Sequence, residues 1–298
     1  MRVLITGATG FIGSHLVKGL LADGHSIFIL KRSGSDCSRL ADVWKDLTAV
    51  DLDRGRWQSL FERGGGVEAI IHAATSYGRH GESLAELVQA NVAFPLQLLE
   101  LAQRQGTALF INTDTFSSAP AVLSAHFRGY NLTKRQFLEW GKEIAATRAS
   151  LCFRNMRLEH VYGPFDGEKK FVPSVIKSCL DHVPELKLTA GEQRRDFIYV
   201  EDVVAAYRTV LAQGLNQGCS FAEYQVGTGV ATSIQEFVRL VHRLTDSRTN
   251  LSFGALPYAD HEIMLSKADN AGLRELGWSW KVGLPDGIGK IVESMTDR

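Results

Sequence analysis

The sequence predicts an α/β fold: a doubly wound parallel sheet with a smaller C-terminal lobe. Three observations carry this. A strand-length apolar run, Val3-Leu4-Ile5, leads directly into Thr6-Gly7-Ala8-Thr9-Gly10-Phe11-Ile12-Gly13. That turn opens a helical pattern with Ile12, Leu16, Leu20 and Leu21 on one face. Short apolar runs then alternate with helical stretches, as parallel strands joined by crossover helices require. At 298 residues the chain can bury a large core. Residues 1–165 are expected to form mainly the first unit and 166–298 mainly the lobe, with some later strands returning to the main sheet.

Strand, glycine turn and helix together make the turn meaningful as a dinucleotide site. Gly7 permits the tight turn, Gly10 lets backbone approach a pyrophosphate, and Gly13 lets the helix pack against the strand. Phosphates would sit on the free N–H groups of the helix N-terminus, beside Phe11 and Ile12. Composition narrows the setting. The 33 basic side chains balance the 33 acidic ones, and no basic run suits nucleic acid or a membrane surface. No apolar run is long enough to span a bilayer. No leader is expected, because the chain opens on the nucleotide-binding strand. Cys37, Cys152, Cys179 and Cys219 are scattered without ligand spacing. They fit a reduced, cytoplasmic setting with no disulfide and no metal.

Taken in order, residues 26–30 read as the second strand. Its end carries Lys31-Arg32-Ser33 where dinucleotide folds often place an acid for the adenosine ribose. Two cations suit a 2′-phosphate, so NADP(H) is expected over NAD(H). Residues 47–52 read as the third strand and 69–74 as the fourth, after a Gly64-Gly65-Gly66 turn. Small Ala73 and Ala74 allow backbone beside the cofactor, and His72 reads as packed. Residues 84–104 read as one long amphipathic helix containing Asn91, and 108–115 as the fifth strand. Tyr130 and Lys134 follow, at i and i+4 on one face of a helix running to about residue 146. Residues 151–158 are a further strand running into Glu159-His160-Val161-Tyr162-Gly163-Pro164. Phe171-Val172-Pro173-Ser174 opens a helix, Asp202 reads as a helix cap, and Ser233 caps a helix through residue 244.

The glycine turn, a hydroxyl residue at the end of strand five and Tyr-x-x-x-Lys leading a helix occur here in that order. With Arg195-Asp196-Phe197-Ile198-Tyr199-Val200-Glu201-Asp202-Val203, they resemble the extended short-chain dehydrogenase/reductases, a family with a Rossmann-like fold. The resemblance covers nearly the whole chain. It implies that Tyr130 is the proton donor, with Lys134 lowering its pKa and holding the nicotinamide ribose. Thr113 would orient the carbonyl. It carries Asp51 and Leu52 over as adenine neighbours, and Asn91 as the residue fixing backbone beside the catalytic strand. At the substrate end it implies Arg157, His160, Phe171 and Val172, with Asp114 assisting proton movement and Arg195 on the pyrophosphate. His160 stands where the family often has Asn.

The related 4,6-dehydratases carry Thr-Asp-Glu where this chain has Thr113-Asp114-Thr115. The elimination base is missing, which argues for a reductase. Residues 112–114, 155–164, 189–197 and 223–229 are similar to 4-ketoreductases of nucleotide-linked dideoxyhexoses. That resemblance implies NADPH-dependent reduction of a CDP-linked 4-keto-3,6-dideoxy sugar, for bacterial O-antigen. It also implies a homodimer through the helices near 91–104 and 131–146. Two other readings fit the same residues: a nucleotide-sugar 4-epimerase, and a non-catalytic nicotinamide-binding interaction protein.

Overall fold

Apolar runs too short for helices become strands, and the longer amphipathic stretches between them become helices. In the computed structural model the first half runs β1 (Arg2–Thr6), α1 (Phe11–Ala22), β2 (Ser26–Lys31), β3 (Leu47–Asp51), α2 (Ser59–Glu62), β4 (Ala69–His72), α3 (Leu84–Val88), α4 (Phe94–Arg104), β5 (Leu109–Thr115) and α5 (Arg128–Thr147). The second half runs β6 (Cys152–Leu158), β7 (His160–Tyr162), α6 (Phe171–Leu180), β8 (Glu185–Lys187), β9 (Arg194–Tyr199), α7 (Val200–Gln213), β10 (Phe221–Val226), β11 (Ala231–Ser233), α8 (Ile234–Leu244), β12 (Asn250–Ser252), α9 (Ala271–Glu275) and α10 (Leu284–Thr296). The structure describes residues 1–55, 57–62, 66–79, 81–118, 128–147, 151–213 and 220–296. Gly64, Gly65 and Cys219 lie outside them, and Cys37, Cys152 and Cys179 are free thiols.

Seven strands form one parallel sheet in the order β10-β6-β5-β4-β1-β2-β3. Alternation along each strand feeds two cores. Val3, Ile5, Ile71 and Ile111 pack with Leu16 and Val17 of α1 and Val203 and Val210 of α7. Leu4, Ile70, Phe110 and Phe153 pack on the other face with Leu98 and Leu99 of α4 and Phe137 of α5. His72 joins this second layer among the Phe94, Phe110 and Phe137 rings. Burial pushes its pKa down to about 3, so it stays neutral there. A third core holds the lobe together, with Val175 and Ile176 of α6, Phe197 of β9, Phe237 and Val241 of α8, and Ile288 of α10. β10, from the later half of the chain, forms the sheet edge beside β6. The strand order reverses between β1 and β4, and ligands of such sheets bind beyond the strand ends at that point.

Two local readings are corrected. The helix expected over 84–104 is interrupted by a π turn, Gln89–Ala93. Pro95 offers no N–H to the carbonyl four residues back, that of Asn91, so a regular ladder cannot cross this point. Such wide turns are common at functional sites. Asp202 is not an N-cap; it lies inside the first turn of α7. Its carboxylate accepts the backbone N–H groups of Lys281 and Val282, at 2.9 and 3.0 Å, and so ties the C-terminal segment to α7. Ser233 does cap α8, in a reciprocal capping box with Glu236.

Candidate active site

The glycine turn is shaped by what its side chains would strike. Gly7 has φ +69°, and a Cβ there would come within 2.5 Å of Ala74 N. This close approach brings the turn against Ala73 and Ala74, whose N–H groups are held by Thr6 O and Thr6 Oγ1. A Cβ on Gly13 would lie 2.0 Å from Gly7 O, so helix and strand meet there as expected. At Gly10 a Cβ would meet only Gly7 O, at 3.2 Å, and the remaining side is open for a ligand. That open side and the N–H groups of α1 fit a dinucleotide pyrophosphate.

Beyond the turn, the strand ends and the lobe enclose a cleft of about 620 Å³. It is lined at one end by Phe11, Ile12, Ala73, Thr113, Asp114, Tyr130 and Lys134, and at the other by His160, Phe171, Val172 and Arg195. These eleven residues, separated by up to 184 positions in the chain, meet only in the fold.

The Tyr130 phenol is buried and hydrogen-bonded to the Thr115 side chain. Burial pushes its pKa well above the ordinary phenol value, and neighbouring Tyr77 and Asp114 add to this. The Thr115 hydrogen bond and the Arg79 guanidinium act in the opposite direction. The Tyr77 ring lies 4.9 Å from the Tyr130 ring, with Arg79 5.5 Å from the Tyr77 ring centre. Lys134 is buried as well, which lowers its pKa, while Asp114 pulls the other way. Its ammonium donates to Thr113 O at 2.5 Å. The sequence expects an ammonium that pulls the phenol down; in the structure burial outweighs every neighbour. Thr113 Oγ1 sits 2.7 Å from the buried Tyr207 hydroxyl of α7.

Asn91 lies outside the cleft lining but braces it. From the π turn it accepts Ser76 N–H at 2.7 Å and donates to Ser76 O at 2.8 Å and to Thr133 Oγ1 at 3.0 Å. It thereby joins the loop after β4 to α5. Asp114 accepts Thr115 N–H and the Asn155 amide. Arg157 is not brought into the cleft. Its guanidinium pairs with Glu223 on β10, which also accepts from Asn155. The alternation of β6 turns Arg157 toward this neighbour, so a direct substrate contact is corrected to a support behind the wall.

At the adjoining ends of β2 and β3, Lys31 and Asp51 are separate expectations that the fold joins into one ion pair of 2.5 Å. Leu52 packs partly buried against the sheet, and Arg32 is exposed. At the opposite end of the cleft, Arg195 is buried and paired with Glu262 from the loop after β12. His160 sits between the Phe116 and Phe197 rings, at 4.4 and 6.0 Å, and burial lowers its pKa so that it stays neutral. Phe171 and Val172 form the first turn of α6.

Several cleft residues are absent from the sequence reading. Tyr77 and Arg79 lie in a loop with no motif, and Glu262 follows the last small strand. Tyr207, fully buried behind the cleft wall, belongs to no motif either. Only Thr115 left a trace, as the residue standing where an elimination base is missing.

The sequence profile of the NAD dependent epimerase/dehydratase family matches residues 3–227. The chain is similar to CDP-abequose synthase of Salmonella typhimurium (strain LT2), 38% identical over 302 aligned residues that cover 98% of each protein. It is similar to CDP-abequose synthase of Salmonella muenchen, 35% identical over 291 residues, 98% of this chain and 97% of that one. Among solved structures it resembles MoeE5 in complex with UDP-glucuronic acid and NAD, with TM-score 0.82 and 26% identity over 100% of this chain and 99% of that one. A UDP-glucose 4-epimerase with UDP-glucose from Thermotoga maritima shares the fold, with TM-score 0.83 and 24% identity over 100% and 99% of the two chains. On the family profile, which spans most of the sequence, and on relatives matched along nearly their full length, the chain belongs to the NAD dependent epimerase/dehydratase family.

Proposed function

We propose that this protein is an NADPH-dependent reductase of the C4 ketone of a nucleotide-linked 4-keto-deoxyhexose. The substrate is CDP-4-keto-3,6-dideoxyglucose and the product CDP-abequose, made in the bacterial cytoplasm for O-antigen. One observation carries the reading. A buried phenol lines the cleft beside Lys134 and Thr113, with the hydroxyl of Thr115 at the position where the related dehydratases carry their elimination base. The similarity to two CDP-abequose synthases supports the choice of sugar and nucleotide.

In this reading NADPH, when bound, supplies the hydride. Gly7, Gly10, Gly13, Phe11 and Ile12 hold its pyrophosphate, with Ala73, Ala74 and Asn91 shaping the wall beside it. Asp51 and Leu52 flank the adenine, and Arg32 meets the 2′-phosphate. Tyr130 gives its proton to the ketone oxygen, Thr113 orients that oxygen, and Lys134 holds the nicotinamide ribose and offsets charge left on the phenol. Asp114 assists proton movement. Arg195 takes the substrate diphosphate, and His160, Phe171 and Val172 contact the nucleotide sugar. Two copies pair through α4 and α5, where Leu132 and Trp140 are 49% and 48% exposed.

The test is NADPH oxidation with CDP-, dTDP-, UDP- and GDP-linked 4-keto-6-deoxy sugars, including the 3-deoxy CDP compound. Oxidation with the CDP compound alone supports the reading. A Tyr130→Phe variant should stay folded and lose at least about a hundredfold in turnover, the usual contribution of a general acid. Near-wild-type turnover would refute the assignment. The 29% identity to UDP-glucose 4-epimerase of Mycolicibacterium smegmatis favours a second reading, a 4-epimerase. It would be upheld by cofactor copurifying at one per chain and by no oxidation with any ketone.

A further inference from the structure

Thr115 stands where the related dehydratases carry their elimination base, and the fold gives its hydroxyl a definite place. Ser117 Oγ donates to Asn131 Oδ1 at 2.8 Å. Its one hydrogen is then spent. Toward Thr115 Oγ1, 3.1 Å away, Ser117 can only accept. Thr115 therefore donates to Ser117, and its own oxygen is left to accept. One lone pair faces Ser117 N–H at 3.4 Å. The other is free to take the Tyr130 phenol, to which the Thr115 side chain is hydrogen-bonded. Ser117 and Asn131 are buried, while Thr115 and Ser117 line the cleft together with Tyr130. The Thr113 hydroxyl, by contrast, is turned to Tyr207.

We propose that Thr115 is a catalytic residue: it accepts the phenol hydrogen of Tyr130 before proton transfer and donates to the phenolate oxygen after it. The inference rests on the ketone-reductase reading. In the step, the Tyr130 O–H bond breaks and an O–H bond forms on the reduced ketone oxygen. The Thr115 O–H bond stays intact and swings from Ser117 to Tyr130, so no proton leaves Thr115. A buried phenolate without a donor is costly, and Thr115 brings a hydroxyl into contact with it. Where the related dehydratases carry a base, which removes protons, this chain places a hydroxyl that follows one.

The experiment compares Thr115→Val and Thr115→Ser with the wild type in the full chain. It reads kcat and KM for NADPH-dependent ketone reduction across pH. It also reads tyrosinate absorbance of the NADP⁺-bound protein, with Tyr130→Phe as the blank. Thr115→Val should lower kcat about tenfold with KM little changed, the worth of one hydrogen bond to a charged group. Loss of the donor makes the phenolate harder to form. The alkaline limb and the tyrosinate titration should therefore both move up by about one pH unit. Thr115→Ser should restore both. An unshifted limb and titration in Thr115→Val overturn the proposal, even if turnover falls, because a packing role moves neither. If the wild type reduces no ketone, the reductase reading fails, and the tyrosinate titration alone still decides whether Thr115 serves the phenol.

Discussion

Two adjacent cations at the end of β2 differ in what they have left to offer. Lys31 is 2.5 Å from Asp51, and that carboxylate raises its pKa. Its charge is therefore largely committed within the protein. Arg32 is exposed. If a 2′-phosphate is bound here, Arg32 contributes most of the discrimination. Arg32→Ala should then raise the Kd of NADPH by about tenfold, the worth of a charge-assisted hydrogen bond. The Kd of NADH should change less than about twofold. Parallel fluorescence titrations with both cofactors check this, and equal losses would count against a 2′-phosphate contact. The pair Lys31-Arg32 is visible in sequence, but the partner of Lys31 is 20 residues away on the next strand. Only the register Lys31 opposite Asp51 between β2 and β3 brings them together.

Among the elements, α1 is placed more tightly than its apolar face requires. Gly13 sits where a methyl group would overlap Gly7 O, and the atoms in the way are backbone that no rotamer change can move. Gly13→Ala should cost about 2–3 kcal/mol by urea denaturation. It should also weaken cofactor binding, since the start of α1 must shift away from β1. Unchanged stability would mean that the helix lies further from the strand. The π turn before α4 belongs to the same scale. A run of helical sequence predicts one helix, yet the turn at Asn91 lets a single amide reach both Ser76 and Thr133. Asn91 is thereby a clamp between two elements and not a solvated position on one.

For the whole molecule, the cleft lies between the strand ends and the lobe, and an ion pair crosses its outer wall. Tyr258 receives Glu192 N–H, and Met264 O receives Arg194 N–H, so the loop between them is fixed at both ends. Its Glu262 reaches Arg195 on β9. If Arg195 serves the diphosphate, this carboxylate competes with it. Glu262→Gln should then lower KM for the nucleotide sugar by about three- to tenfold, as expected when a charged competitor becomes neutral. Turnover at saturation should hold. Steady-state kinetics at two salt concentrations check it, and a raised KM would show instead that Glu262 itself helps to hold the substrate.

By itself the sequence determined the sheet class, the glycine turn, the order of the strands β1 to β6 and the Tyr130–Lys134 spacing. Each rests on neighbours within a few residues: apolar periodicity, a turn that needs glycine, an i, i+4 face. Resemblance added the roles. The tertiary structure decided what those side chains face. It turned Arg157 to Glu223, Asp202 to the C-terminal segment and Thr113 to Tyr207, and it set Thr115 on the Tyr130 phenol. Such partners are distant in sequence, and hydrogen-bond direction depends on which buried group has no other acceptor. Local periodicity carries no record of that; it is settled only when the strand ends, α5 and α7 are packed around one cleft.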